Sequence, residues 1–175
     1  MLLKSLETQR LLMRALHPED LPGFYSVWGD PEVIWWGADA DLVGTRARLK
    51  RSIVLGETLP VPQGWAAVIE KASGVMVGDV VLQPAPFYPG EVELGYHFAR
   101  RGQHRGFATE AARALVEHAF AVSSLPRLVA AIARGNVSSL KLAARLGMRM
   151  VTEVMHAGLR HDLLEVDRET FQATR

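Results

Sequence analysis

The hexapeptide Gln103-His104-Arg105-Gly106-Phe107-Ala108 runs from the end of a strand-like segment straight into an amphipathic helix that opens with Thr109-Glu110-Ala111-Ala112. A second apolar strand pattern follows that helix at Arg127 to Ala133, so the turn sits inside a βαβ crossover, which makes its two strands parallel neighbours. The junction also makes a place for an anion. The first N–H groups of a helix have no internal partners and carry the positive end of the macrodipole, so a pyrophosphate can be held there without a catalytic side chain. Gly106 and Ala108 allow close approach. Arg100, Arg101, Arg105 and Arg113 flank the turn against one nearby acid, Glu110, which predicts a local positive potential in a chain of net charge +1.

Other phosphate loops do not fit. A Walker loop needs GxxxxGK followed by Ser or Thr, and a dinucleotide fold needs GxGxxG near the end of a first strand; the chain has neither. Composition narrows the class further. A chain of 175 residues suits one domain, spanning 1–175, and buries roughly 70% of its unfolded surface. With 49% apolar and 22% charged residues it reads as neither disordered nor membrane-embedded, and no apolar run reaches the roughly 18 residues of a membrane span. The first residues lack the apolar stretch of a signal peptide, and the absence of cysteine removes disulfide and thiolate-metal chemistry, so the cytoplasm is the expected compartment. Basic residues are balanced by acids and do not alternate with aromatics, which argues against a nucleic-acid partner. The six histidines show no i, i+4 pair with a carboxylate, so no metal is expected.

Periodicity along the chain predicts a strand over Arg10 to Leu16, a helix from His17-Pro18-Glu19-Asp20 to about Trp28, and a second helix over Gly44 to Leu55. Strands at Trp65 to Glu70 and Val75 to Leu82 flank a hairpin turn, Lys71-Ala72-Ser73-Gly74. Glu91 to Ala99 is the fourth strand. Thr109 to about Val122 is the third helix, with Phe107, Ala111, Ala114, Leu115, His118 and Val122 on one face. Arg127 to Ala133 is the fifth strand. Arg149 to Met155 and His161 to Val166 close the chain as an antiparallel pair. Between the fifth strand and that pair, Asn136-Val137-Ser138-Ser139 begins a helix that ends at Leu146-Gly147-Met148, with Asn136 suited to the N-cap and Gly147 to the C′ position.

The pattern Q-x-x-G-x-A at Gln103 to Ala108 resembles the acetyl-coenzyme A loop of the GCN5-related N-acetyltransferase (GNAT) superfamily. The flanking Glu93-Leu94-Gly95-Tyr96-His97-Phe98 and Ala108-Thr109-Glu110-Ala111 resemble its ribosomal-protein alanine acetyltransferase branch, and N-x-x-S at Asn136 to Ser139 resembles the fourth helix that flanks the pantetheine arm. The resemblance implies an α/β (α+β) fold with a mixed, mostly antiparallel sheet, splayed parallel fourth and fifth strands, and about four flanking helices. It implies acetyl transfer from acetyl-CoA to a primary amine, either a protein N-terminus or a small amine, by direct attack in a ternary complex. A non-catalytic acyl-CoA-binding module is the alternative.

The same resemblance assigns roles. Cofactor-binding positions are His97, Phe98, Ala99, Gln103, His104, Arg105, Gly106, Phe107, Ala108, Thr109, Asn136 and Ser139. The backbone N–H groups of His97, Phe98 and Ala99 are expected to polarise the thioester carbonyl. Glu93 is the leading base, because the attacking nitrogen must be unprotonated, and Glu91 is the weaker candidate. Many family members place a tyrosine near the fourth helix to assist the leaving thiolate. Tyr25, Tyr88 and Tyr96 all lie elsewhere; the resemblance to the ribosomal-protein branch implies Ser139 in that role. Trp28, Trp35 and Trp36, interspersed with Asp30, Glu32, Asp39 and Asp41, suggest an aromatic and locally acidic acceptor wall, in which Trp35, Trp36 and Glu93 are the substrate residues; the tryptophans equally suit a core or a homodimer contact.

Overall fold

The computed structural model describes residues 5–34, 41–156 and 158–174. Strand β1 (Ser5–Glu7) and β2 (Leu11–Ala15) lead through a short 3-10 turn into helix α1 (Leu21–Trp28), and α2 (Leu42–Thr58) follows. The hairpin β3 (Gly64–Glu70) and β4 (Val75–Pro84) turns at Gly74, whose φ of +68° is the left-handed conformation a glycine adopts without strain. Then come β5 (Val92–Phe98), α3 (Phe107–Val122), β6 (Arg127–Ala133), α4 (Val137–Arg145), β7 (Arg149–His156), β8 (Leu159–Asp167) and α5 (Arg168–Gln172).

All eight strands form one sheet in the order β1-β2-β3-β4-β5-β6-β8-β7. Only β5 and β6 run parallel, and they share a single registered pair, Glu93 with Val129. That pair lies near the start of both strands, so they separate toward their carboxyl ends. The wedge this opens is where open α/β sheets admit ligands.

Alternation distributes β5 between two cores. Val92, Leu94 and Phe98 pack with Phe107, Ala111, Leu115 and Val116 of α3, together with Leu142 and Ala143 of α4. Trp28, Phe24 and Val27 of α1 and Leu49 of α2 cover the opposite face. Glu93, Gly95 and His97 therefore face α1 and α2, while Tyr96 faces α3 and α4.

The predicted elements are present, with two additions at the ends. The short edge strand β1 and the five-residue α5 escape periodicity analysis, although Asp167 caps α5 by accepting the Thr170 N–H at 2.7 Å. Helix α3 starts at Phe107 rather than Thr109, and its buried face is turned from the predicted one: Ala112, Val116 and Ala119 are buried, whereas Val122 is 47% exposed.

Candidate active site

The turn before α3 is built from backbone. His104 and Gly106 both adopt left-handed conformations, φ 58° and 78°, on either side of Arg105. Gly106 is the N-cap residue and supplies no side-chain cap, and the first helical bond joins the Glu110 N–H to the Gly106 carbonyl at 3.0 Å. The N–H groups of Phe107, Ala108 and Thr109 thus precede the first intrahelical bond and converge as an anion-binding concavity. A Cβ on Gly106 would meet only Arg10 Nη2 at 3.4 Å, so glycine is required there for its φ rather than for room. Gln103 fixes the approach to the turn: its side-chain Nε2 donates to the Phe98 carbonyl at 2.9 Å.

Of the four arginines that flank this turn in sequence, two pair with acids and two are held by carbonyl and hydroxyl oxygens, so all four side chains are engaged within the protein. Arg100 pairs with Glu32 at 2.8 Å, and Arg101 donates to the Met76 carbonyl and to Ser26. Arg105 pairs with Glu70 and lies over the Phe107 ring. Arg113 donates to the Arg145 carbonyl and to Thr174, and the acid Glu110 is bound by Arg10. The cations that line the cavity beside the turn are instead Lys141 and Arg145, both on α4. Sequence reading missed them because they lie on α4, some 30 to 40 residues beyond the turn.

Helix α4 is closed at both ends. Asn136 Oδ1 accepts the Ser139 N–H at 3.1 Å as an N-cap. At the other end Gly147, φ 79°, completes a Schellman motif, with Met148 N–H donating to Ala143 and Gly147 N–H to Ala144, each at 3.0 Å. The Asn136 side-chain nitrogen is the donor left for a ligand amide.

Two cavities enter the wedge from opposite sides. One, of about 760 Å³, contains Gln103, His104, Gly106, Ala108, Thr109 and α4. The other, of about 600 Å³, contains Glu93, Trp28, Trp65 and residues of α2, β6 and β8. They share Tyr96, His97, Asn136 and Ser139. A ligand held at the turn and a second ligand from the other side meet at these four residues.

Of the three backbone donors expected on β5, the Ala99 N–H already donates to the Val77 carbonyl at 3.0 Å. Antiparallel alternation points the His97 N–H the same way, toward β4, and turns those of Tyr96 and Phe98 toward the wedge. The N–H groups facing the wedge are thus those of Phe98, one of the three named from sequence, and of Tyr96. Tyr96 is also the candidate site residue that the sequence concealed. Its hydroxyl donates to the Ser139 carbonyl at 3.1 Å, so a tyrosine does reach the fourth helix, from the strand rather than from the helix itself. Burial pushes that phenol up to about 12. Ser139 itself lines both cavities.

Glu93 stands where β5 and β6 part. Its Oε2 accepts from Gln83 Nε2 at 2.8 Å and its Oε1 accepts the Ala131 N–H at 3.3 Å, a β6 amide that the diverging strands leave without a ladder partner. Burial raises its carboxyl above the ordinary range, against the lowering effect of those two hydrogen bonds. Glu91, by contrast, pairs with Arg127 at 2.8 Å and does not line either cavity.

His97 is held from behind. Its Nδ1 lies 3.0 Å from Oδ1 of Asp79, which is 0% exposed, and the other Asp79 oxygen accepts the Trp28 indole N–H at 2.8 Å. The Trp28 and His97 rings lie 4.4 Å apart, and Arg48 caps the far side of Trp28 at 4.2 Å. No local pattern in the sequence joins Asp79 to His97; the β4–β5 register places them opposite one another.

The acidic acceptor wall is not what the described residues build. Glu32 is paired with Arg100, Asp30 accepts the Glu32 N–H at 2.9 Å, and Asp41 caps α2 through the Gly44 N–H at 2.7 Å. Among the described residues Glu93 is the acid of that cavity, and its cations are Arg48 and Arg51. Trp28, one of the aromatics named from sequence, lines it together with Trp65, Phe87 and the buried His161. Trp35, Trp36 and Asp39 lie outside the described residues. No group of three or more His, Asp or Glu among the described residues could hold a metal ion, and no helix there is long and apolar enough to cross a membrane.

Residues 10–149 match the family model of the acetyltransferase (GNAT) domain. A curated relative from Bacillus licheniformis, named uncharacterized N-acetyltransferase p20, is 26% identical over 148 residues, which cover 84% of this chain and 83% of its own. A GnaT-family acetyltransferase from Bordetella pertussis superimposes with a TM-score of 0.78 at 29% identity, over 93% of this chain and 99% of that one. RimJ of Mycobacterium smegmatis, solved in complex with CoA-disulfide, shares the fold with a TM-score of 0.74 at 16% identity, over 91% and 82% of the two chains.

Proposed function

Since this chain belongs to the GNAT acetyltransferases, we propose that it moves an acetyl group from acetyl-CoA to a primary amine, by direct attack with both substrates bound. The observation that carries this reading is the meeting of two separate cavities at Tyr96, His97, Asn136 and Ser139. When bound, acetyl-CoA supplies an activated thioester carbonyl. The chain's own groups suit it. The N–H groups at Gly106 to Thr109 face a pyrophosphate, Lys141 and Arg145 stand beside it, and the Asn136 amide nitrogen meets the pantetheine arm. Tyr96 and Phe98 turn backbone donors toward the carbonyl oxygen. Ser139 and the Tyr96 hydroxyl lie at the sulfur end, where a donor eases departure of the thiolate. Glu93 and His97 face the other cavity, from which the amine arrives and loses its proton.

The acceptor is a peptide N-terminus or a small amine met in the cytoplasm. Arg48 and Arg51 in that cavity disfavour a polycation, because like charges would be brought together in a partly desolvated cleft. Thiol release from acetyl-CoA across a panel of N-terminal peptides and small primary amines tests the reading. Release with at least one acceptor supports it. Cofactor binding with no release for any of them would mark an acyl-CoA-binding module instead.

A further inference from the structure

Resting on the acetyl-transfer reading, we propose that the Asp79–His97 dyad is the proton acceptor of the reaction, with His97 as the base and Asp79 as its positioning residue. Asp79 is fully buried on β4, and both its oxygens are occupied, one by Trp28 Nε1 at 2.8 Å and one by His97 Nδ1 at 3.0 Å. A buried carboxylate accepts, so this bond places the imidazole hydrogen on Nδ1 and the lone pair on Nε2. The Trp28 ring, tilted 50° to the imidazole with its centroid 4.4 Å away, restrains it further. His97 is one of the four residues common to both cavities, whereas Glu93 lines only the acceptor cavity. Glu93 moreover has one oxygen on Gln83 and the other on the Ala131 N–H, so taking a proton there would disturb the support of the wedge.

The balance of the step is simple. A cationic amine first gives one proton to His97 Nε2, which releases it to water; the neutral nitrogen then bonds to the acetyl carbonyl carbon, the carbon–sulfur bond breaks with its electron pair going to sulfur, and the second proton shed by nitrogen passes to the same Nε2. The imidazolium, facing Asp79, then returns this proton to water. Glu93 remains the nearby anion that draws a cationic amine into the cavity.

Two measurements decide this. Nitrogen-15 histidine spectra should show His97 protonated on Nδ1 in the wild type, with the Nε2-protonated form gaining population in Asp79→Asn. Kinetics with the best acceptor of the amine panel should show His97→Ala losing about 10²-fold or more in kcat/KM, with the acetyl-CoA Kd unchanged and activity partly restored by added imidazole. His97→Asn keeps an N–H donor for Asp79 without a basic nitrogen, so it should fold like the wild type and lose the same activity. A wild-type His97 protonated on Nε2, a His97→Asn rate within threefold of wild type, or no rescue by imidazole would each overturn the assignment. Absence of thiol release by the wild type itself would defeat the acetyl-transfer reading, a result distinct from any of these.

Discussion

The Tyr96 hydroxyl on β5 donates to the Ser139 carbonyl on α4 at 3.1 Å, joining residues 43 positions apart across the mouth of the wedge. This bond ties the strand that carries His97 to helix α4. Burial holds the phenol protonated up to about 12, compared with an ordinary value near 10. The sign follows directly: the folded state holds this proton more tightly than the unfolded one, so the contribution is complete below pH 10 and is lost as pH rises toward 12. Tyr96→Phe should lower stability by about 1 kcal/mol at neutral pH and flatten the alkaline decline, both measured by denaturant unfolding. If the hydroxyl also assists the thiolate, kcat should fall by roughly tenfold or more with KM little changed. A variant with wild-type kcat would confine Tyr96 to the structural bridge.

Glu93→Gln separates charge from shape. The glutamine keeps an acceptor for the Ala131 N–H but carries no charge to desolvate. Because burial raises the wild-type carboxyl, its contribution to stability is full below the ordinary glutamate range and is lost as pH rises through the raised folded value. Thermal melts should therefore show the variant gaining on the wild type between pH 4 and pH 7. In activity, KM for a cationic amine should rise while kcat falls by less than about tenfold. A kcat loss of 10²-fold, with recovery at high pH, would return the base role to Glu93.

Asn136 has two functions that two substitutions divide. Asn136→Ala removes the cap of α4 and should cost about 1 kcal/mol, seen as a lower Tm, together with weaker acetyl-CoA binding. Asn136→Asp retains the capping oxygen and loses the amide donor. It should keep the wild-type Tm and still bind acetyl-CoA more weakly by calorimetry. Equal affinity in Asn136→Asp and wild type would remove Asn136 from the cofactor site.

At Gly106 the demand is conformational. Gly106→Val places a β-branched residue at φ 78° and should cost about 1–2 kcal/mol while displacing the N–H groups of the turn, raising the acetyl-CoA Kd tenfold or more. Gly106→Asn, which tolerates that φ, should retain most of the affinity. Unchanged binding in Gly106→Val would exclude this turn as the phosphate site.

Much of this molecule was legible in its residues because the determinants are local. A two-residue alternation, a helical repeat, the N-cap at Asn136 and the glycines at 74, 106 and 147 each act through backbone preferences a few residues long, and together they determined element order, the βαβ crossover and the turn before α3. Side-chain pairing is not local. Whether Arg100, Arg101, Arg105 and Arg113 would face a ligand or the protein depended on Glu32, Met76, Glu70 and Arg145, and only the packed structure brought those partners to them. The same holds at the centre of the site. The alternation of β5 was sufficient to put Glu93 and His97 on one face and Tyr96 on the other. It took the β4 register to set a buried carboxylate behind His97, and the seating of α4 to bring Ser139 within reach of Tyr96, because those distances are set by how sheet and helix pack rather than by neighbours along the chain.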